Sequence, residues 1–449
     1  MSEVRDFSPQ ALLERLPSGE RPPRIVVAFS GGLDSVTLLH ALVALRDHLP
    51  GPVAAVHVDH GLNPRSGHWA RHCVEICRAL DVHCSVGRVT AAAGPGESPE
   101  ARAREARYAW LRDQVGPGDW LLTAHHRDDQ AETVLLQLMR GAGPAGLAAM
   151  PARTRFARAW LLRPLLDFAR ADLARYARAH RLNWLDDPAN AELDFDRNFI
   201  RHRLMPVLQD RWPSAAATLA RSARHAAEAS HLLDTLAETD LRAAGARPGV
   251  LPLSGLRELD RARQANLVRY WLRSCGLGVP DERHLRRLLT EMALARADRL
   301  PVVAWPGAQV RRYRGELHAL AGDPPAVPGG PLSLSVPGKL ELPAGLGVLE
   351  IARSPAGVLD PERLGTGPLT VSFRRGGERI RPAGGRHHRA LRTLFQEWGI
   401  VPWMRARMPL IYHGDELVAV ADRCVSDNFA AAPGTAGLAL EWRDHWPVE

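Results

Sequence analysis

The first 150 residues alternate between short, unbroken apolar runs and stretches in which apolar residues recur at helical intervals. Runs at 25–29, 53–58, 82–89 and 120–124 are rich in aliphatic residues and show little polar alternation, which suits strands covered on both faces. After the first run, Leu38, Leu39, Ala41, Leu42 and Leu45 fall on one side of a helix, and helices are also predicted over 68–80, 99–115 and 128–139. Strand and helix in turn, joined by short links, predict a parallel sheet with helices on both faces. Ligands of such sheets bind beyond the carboxyl ends of the strands, so the residues following each run carry the chemical meaning.

After residue 150 the pattern becomes Arg-rich and helical, over 165–180 and 199–211. A long Ala-rich helix is predicted over 214–244, further helices over 256–289 with Leu267, Val268, Trp271 and Leu272 inward, and short strands over 302–320. Pro and Gly crowd 322–331, which reads as a linker. Beyond it, 332–353 alternates as antiparallel strands do, and 389–398 reads as an amphipathic helix. The expected class is therefore α/β. A doubly wound parallel-sheet nucleotide-binding domain with an Arg-rich extension (1–213) precedes a mostly helical middle domain (214–321) and a small α+β C-terminal domain (332–449).

Composition narrows the function classes. With 45% hydrophobic and 24% charged residues the chain has the balance of a soluble globular protein, and no apolar run reaches the ~18 residues that span a bilayer. The first twenty residues hold acids and a Pro-Ser-Gly break but no signal-peptide core, so the cytoplasm is the expected location. Cys73, Cys77, Cys84, Cys275 and Cys424 are odd in number and scattered, which argues against a disulfide framework, and no Cys-x-x-Cys pair offers a zinc or redox site. The net charge of +8 is carried almost wholly by arginine, Lys339 being the only lysine. Residues 151–225 hold 14 Arg against 8 acids and residues 371–412 hold 9 against 2, so the remainder is acidic. Arginine gathered into patches reads as a footprint for a polyanion.

The stretch Ser30, Gly31, Gly32, Leu33, Asp34, Ser35 follows the first strand and opens a helix, aiming free backbone N–H groups and a positive helix end at one point, a phosphate site. Gly-Lys-Ser/Thr is absent, so it is not a Walker loop, and the Gly-x-Gly-x-x-Gly spacing is absent too. That spacing does occur at Gly141, Gly143 and Gly146, but after a helix, which removes the dinucleotide-binding context. After the fourth strand come His125, His126, Arg127, Asp128, Asp129 and Gln130, then Glu132. Asp129 and Glu132 share a face at a helix start and form a carboxylate cluster for Mg²⁺ or a cationic substrate, or simply complement the helix dipole. A zinc site at His57 and His60 is not favoured, because His57 lies inside a strand. Arg197 and Arg201, four apart, project from one face and suit two phosphates or a phosphate and a base, or form a solvated face. Arg374, Arg375 and Arg405 sit among Phe and Trp in the C-terminal segment, a composition suited to phosphates and stacked bases or to a basic surface.

The Ser30–Ser35 motif resembles the pyrophosphatase-type (PP) loop of enzymes that cleave ATP between the α and β phosphates. With Val58 to Leu62, His125 to Thr133, Arg140 to Leu147, Asn190 to Arg201, Phe373 to Glu378 and Gly399 to Trp403, nearly the whole chain resembles the tRNA(Ile)-lysidine synthases. One departure is His387, His388 and Arg389, where that family would have more lysine. The resemblance implies that ATP adenylates the C2 oxygen of the wobble cytidine in a tRNA(Ile) with a CAU anticodon, releasing pyrophosphate, and that the ε-amine of free L-lysine then displaces AMP. It implies ATP contacts from Ser30, Gly31, Gly32, Leu33, Asp34, Ser35 and His60. It further implies Mg²⁺ at Asp34 and Asp129, lysine at Asp129 and Glu132, and tRNA at Arg197, Arg201, Arg374, Arg375 and Arg405. Asp34, Asp129, Glu132 and His125 become the catalytic candidates, His125 as the base. No membrane partner is expected, and a homodimer is left open.

Two rival readings stand beside it. A tRNA thiolation enzyme shares the adenylation but needs sulfur-carrying cysteines, and Cys73, Cys77 and Cys84 are poorly spaced for that. A non-catalytic RNA-binding protein is disfavoured by the intact loop with Asp128 and Asp129.

Overall fold

The computed structural model describes residues 6–59, 66–89, 99–186, 192–292, 295–296, 299–365, 367–432 and 434–446. His60, assigned above to ATP, lies outside them. The chain forms two units, 1–233 and 234–449.

In the first unit the elements run α1 (Pro9–Leu13), β1 (Ile25–Ala28), α2 (Leu33–Ala44), β2 (Val53–Asp59), α3 (Ser66–Ala79), β3 (His83–Arg88), α4 (Pro99–Gln114), β4 (Trp120–Leu122) and α5 (Arg127–Met139). Then come α6 (Pro144–Leu147), β5 (Arg153–Phe156), β6 (Ala159–Leu162), α7 (Arg170–Ala179) and α8 (Asp196–Phe199), which passes through a π turn (Ile200–Leu204) into α9 (Met205–Arg211). The strands form one sheet in the order β3-β2-β1-β4-β6-β5, parallel throughout except for the β5–β6 pair at the edge. Register runs from Ile25 to Val53 on one side and from Ile25 to Trp120 on the other.

The unbroken apolar character of β1 follows from its position. Ile25 and Val27 pack with Leu38, Leu42, Cys73 and Leu173 on one face, and Val26 packs with Leu111, Phe156 and Leu161 on the other. All three are at most 1% exposed, as expected where successive side chains alternate between two covered faces.

The hairpin β5–β6 corrects the reading of 150 onward as helices alone, and the following helix begins at Arg170 rather than 165. Arg153 and Arg155 lie on the hairpin with both guanidinium groups 3.8 Å from the centre of the Trp160 ring. Their stems and planes cover apolar surface that Val or Ile covers in most strands.

The second unit contains a four-stranded antiparallel sheet, Val250–Pro252, Glu316–Ala321, Ala308–Tyr313 and Val302–Trp305 in spatial order, packed on helices Arg261–Ser274 and Glu282–Arg287 around Trp271, Leu267 and Val310. A five-stranded sheet built on Leu369–Phe373, Pro409–His413 and Glu416–Val420 follows, with a three-stranded one and helix Leu391–Glu397 around Phe395, Leu410 and Val418. Among the described residues no helix is long and apolar enough to cross a membrane.

Candidate active site

The strand order reverses at β1. The chain builds outward through β2 and β3, then returns to place β4 on the other side of β1. Connections leaving the carboxyl ends of β1 and β4 therefore diverge and open a crevice.

The loop after β1 is shaped by Gly31 at φ +79° and by Gly32, which caps α2 without a side-chain hydrogen bond. The first N–H groups of α2 have no partner within the helix and point where an anion can meet them. Ser35 Oγ donates to the Gly32 carbonyl at 3.0 Å and lies 3.0 Å from Ser30 Oγ, which accepts from the Gly32 N–H at 3.4 Å. Leu33 turns its side chain into the core, leaving its main chain for a ligand. The Leu185 N–H donates to the Gly31 carbonyl at 2.9 Å and holds the loop from the far side.

A Cβ on Gly31 comes within 2.7 Å of the buried Cys73 Sγ. Gly31→Ala therefore combines a backbone penalty of about 1–2 kcal/mol with a clash. The expected result is a lowered melting temperature and lost ATP binding, with Cys73→Ala in the same chain recovering part of the stability but not all, because φ stays unfavourable. Full recovery would show that sterics alone are at stake.

Beyond β4, His126 caps α5. Its Nδ1 accepts from the Asp129 N–H at 3.3 Å, and Asp129 Oδ2 accepts from the His126 N–H at 3.0 Å. The other ring nitrogen, Nε2, lies 3.6 Å from Asp34 Oδ2 and 3.3 Å from Asp129 Oδ2. His126 thus joins the glycine loop to the carboxylate helix. Burial pulls its pKa down, but Asp34, Asp129 and Asp128 together more than reverse that and hold it above the ordinary value. Asp34 Oδ1 is buried with no hydrogen-bond partner. Asp128 Oδ2 accepts from the Arg170 N–H at 2.8 Å.

His125 hydrogen-bonds through Nδ1 to Thr123 Oγ1 at 2.9 Å, and burial lowers its pKa to about 4. It is neutral at pH 7 and a weak proton acceptor. The unfolded chain takes up this proton near 6.5 and the native chain only near 4, so stability is complete above 6.5 and falls as the pH drops through that window. His125→Asn should remove on the order of 2 kcal/mol of the loss between pH 7 and pH 5, read by urea unfolding at the two values. An unchanged difference would contradict the burial argument.

Asp129 and Glu132 do share a face, and that face meets Arg197 and Arg201. Glu132 Oε1 accepts from Arg201 Nε at 2.7 Å, and Oε2 accepts from Arg197 Nε and Arg201 Nη2, both at 2.9 Å. Asp129 Oδ1 accepts from Arg201 at 2.9 Å and Arg197 at 3.1 Å. Burial raises the Asp129 pKa, but the charges of His126 and Arg197 lead the influences that outweigh it and hold the carboxyl below its ordinary value. The two arginines were expected to face phosphate or solvent; in this chain both guanidinium groups are turned onto carboxylates.

The C-terminal candidates divide. Arg375 is exposed. Arg374 pairs with Glu378 at 3.5 Å and lies over the Phe395 ring, and Arg405 is held by the Ile400 carbonyl at 2.9 Å and Tyr313 Oη at 2.7 Å. Those last two are partly buried and directed inward, which composition alone did not reveal. Sequence reasoning also passed over His126, whose only local signal is its N-cap position before two aspartates.

Comparison with known proteins agrees with this geometry. Residues 7–208 match the PP-loop domain, residues 251–318 the TilS substrate binding domain and residues 369–442 the TilS substrate C-terminal domain. The chain is 44% identical over 435 residues to the tRNA(Ile)-lysidine synthase of Alkalilimnicola ehrlichii, with 97% of each chain covered. It is 43% identical to that of Methylococcus capsulatus, covering 93% of this chain and 95% of the relative. It is 41% identical to that of Coxiella burnetii, covering 97% and 96%. A glycine loop and a carboxylate helix brought together at one crevice, in a chain similar to these enzymes from end to end, lead to one conclusion: the chain belongs to the tRNA(Ile)-lysidine synthase family.

Proposed function

We propose that this chain adenylates the wobble cytidine of a tRNA(Ile) with a CAU anticodon and joins free L-lysine to it, giving lysidine, AMP and pyrophosphate. The observation that carries the reading is the continuity from Asp34 through His126 to Asp129, with separations of 3.6 and 3.3 Å, which unites a phosphate loop with a cation-binding pair. An amide-like C2 oxygen is a poor leaving group, and adenylation makes it a good one. The N–H groups of the Ser30–Ser35 loop stabilise the charge that grows on the departing pyrophosphate. Asp129 and Glu132 bind the ammonium of lysine. Freeing an ordinary amine of its proton at pH 7 costs about 4.6 kcal/mol, which burial lowers by disfavouring the charged form. His125, kept neutral, is the acceptor at hand, though a weak one.

Among the described residues no three His, Cys, Asp or Glu side chains gather into a ready-made metal cage. Mg²⁺ does not need one, since one or two carboxylates and the substrate phosphates hold it. Asp34 Oδ1, buried without a hydrogen bond and with only the Arg170 guanidinium at 3.9 Å, fits that role, whereas both Asp129 oxygens are already engaged. When bound, the ion neutralises pyrophosphate charge. Exposed Arg375 remains a candidate tRNA contact, and Arg197 and Arg201 become candidates once they are released from their carboxylates.

Sulfur transfer is disfavoured at two of the three neighbouring thiols. Cys73 and Cys77 are fully buried, and burial with the neighbouring Cys84 pushes the Cys73 pKa to about 12. The deciding experiment incubates the full chain with ATP, labelled L-lysine and the CAU-anticodon tRNA, then analyses nucleosides. Label in a single modified cytidine is expected. Its absence, with sulfur or nothing incorporated, overturns the reading.

A further inference from the structure

Glu132 is 2% exposed and Asp129 8% exposed. Each of their four oxygens already accepts a hydrogen bond. Arg197 and Arg201 take both oxygens of Glu132 and Oδ1 of Asp129, and the His126 N–H takes Oδ2. In this arrangement an incoming ammonium finds every carboxylate oxygen already paired, and three of the four held by guanidinium groups. The arginines themselves are less enclosed than the acids they serve, with about 27% and 29% of their side-chain surfaces exposed. Both come from the 196–211 helical run. A π turn interrupts its α register from Ile200 to Leu204 and includes Arg201. Such turns concentrate at functional positions. His202 and Arg203 follow directly, and the surrounding Arg-rich stretch marks this part of the chain as the side that meets a polyanion.

We propose that Arg197 and Arg201 are place-holders for the amino-acid ammonium and set the order in which substrates enter: RNA phosphate draws the guanidinium groups off Asp129 and Glu132, and a primary ammonium then takes their place. This rests on the reading of Asp129 and Glu132 as the lysine-binding pair. The exchange leaves no charge unpaired. Guanidinium, planar and forked, gains bidentate bonds to phosphate, and the compact ammonium gains the vacated carboxylates. Because a buried carboxylate stripped of its partners is costly, the pocket does not stand open in the free protein. Lysine is thereby bound more tightly where an RNA is present to receive it. Linkage makes the effect reciprocal, so lysine raises tRNA affinity by the same factor.

The test is equilibrium dialysis of labelled L-lysine against the full chain without ATP, with and without the CAU-anticodon tRNA. RNA should raise the lysine affinity about tenfold or more. Arg197→Gln with Arg201→Gln should bind lysine without RNA about as tightly as the wild type does with RNA, and added RNA should then change little. A wild-type affinity that RNA leaves unaltered overturns the proposal without any variant, so misfolding cannot shield it. Asp129→Asn with Glu132→Gln separates the two levels. If that pair leaves lysine binding intact, the lysine-site reading itself fails. If it weakens binding while the arginine variant binds no tighter, the site stands and the place-holder role is wrong.

Discussion

Replacing Asp34 by Ala is expected to lower tRNA-dependent ATP–pyrophosphate exchange by about 10³-fold or more while leaving tRNA affinity within about twofold. Asp34 stands in the first turn of α2, where backbone N–H groups and the helix dipole already favour phosphate. Its Oδ1 is buried and accepts no hydrogen bond, with the Arg170 guanidinium 3.9 Å away, so it is free to meet a ligand or ion more closely. Asp34→Asn keeps the shape and removes the charge. Loss of exchange in both variants identifies the charge as the agent, whereas recovery in Asn would point to packing. The same change removes a main support of the raised His126 pKa. A raised histidine pKa adds stability that is complete below the unfolded value and disappears as the pH rises through the folded one. Asp34→Ala should therefore weaken that acid-side contribution.

The second large effect is expected at Glu132. Its two oxygens accept three bonds from Arg197 and Arg201. Glu132→Ala leaves two guanidinium groups sharing Asp129 alone and should cost about 3 kcal/mol in the unfolding of the 1–233 unit, the low end of the range for a broken buried pair, because the arginines can turn toward water. Glu132→Gln keeps an acceptor and should cost less, about 1–2 kcal/mol. Urea unfolding of the full chain measures both, and a loss under about 1 kcal/mol for Ala would mean that the network is loose rather than structural.

The central strands were legible because β1 and β4 are covered on both faces and wholly apolar. The glycine loop was legible because Gly31 at φ +79° and the helix start behind it are local requirements. The hairpin β5–β6 was not, since four-residue strands bearing Arg153 and Arg155 show their apolar partner, Trp160, only once the turn is closed. Spacing placed Asp129 with Glu132 and Arg197 with Arg201, but periodicity within a helix is silent about what lies across from it. Their mutual pairing, like that of His126 with Asp34, comes from the topology of the sheet. Arg374 and Arg405 illustrate the same limit: composition counted their charge, and the fold directed it inward.

The proposed chemistry turns on cleavage of ATP between the α and β phosphates. ATP labelled at the α-phosphate, or separately at the γ-phosphate, can be incubated with the full chain and the CAU-anticodon tRNA in the absence of lysine. Cleavage there puts the α label on the RNA and sends the γ label away as pyrophosphate. Transfer of the γ label to RNA, or its release as single phosphate, would contradict it.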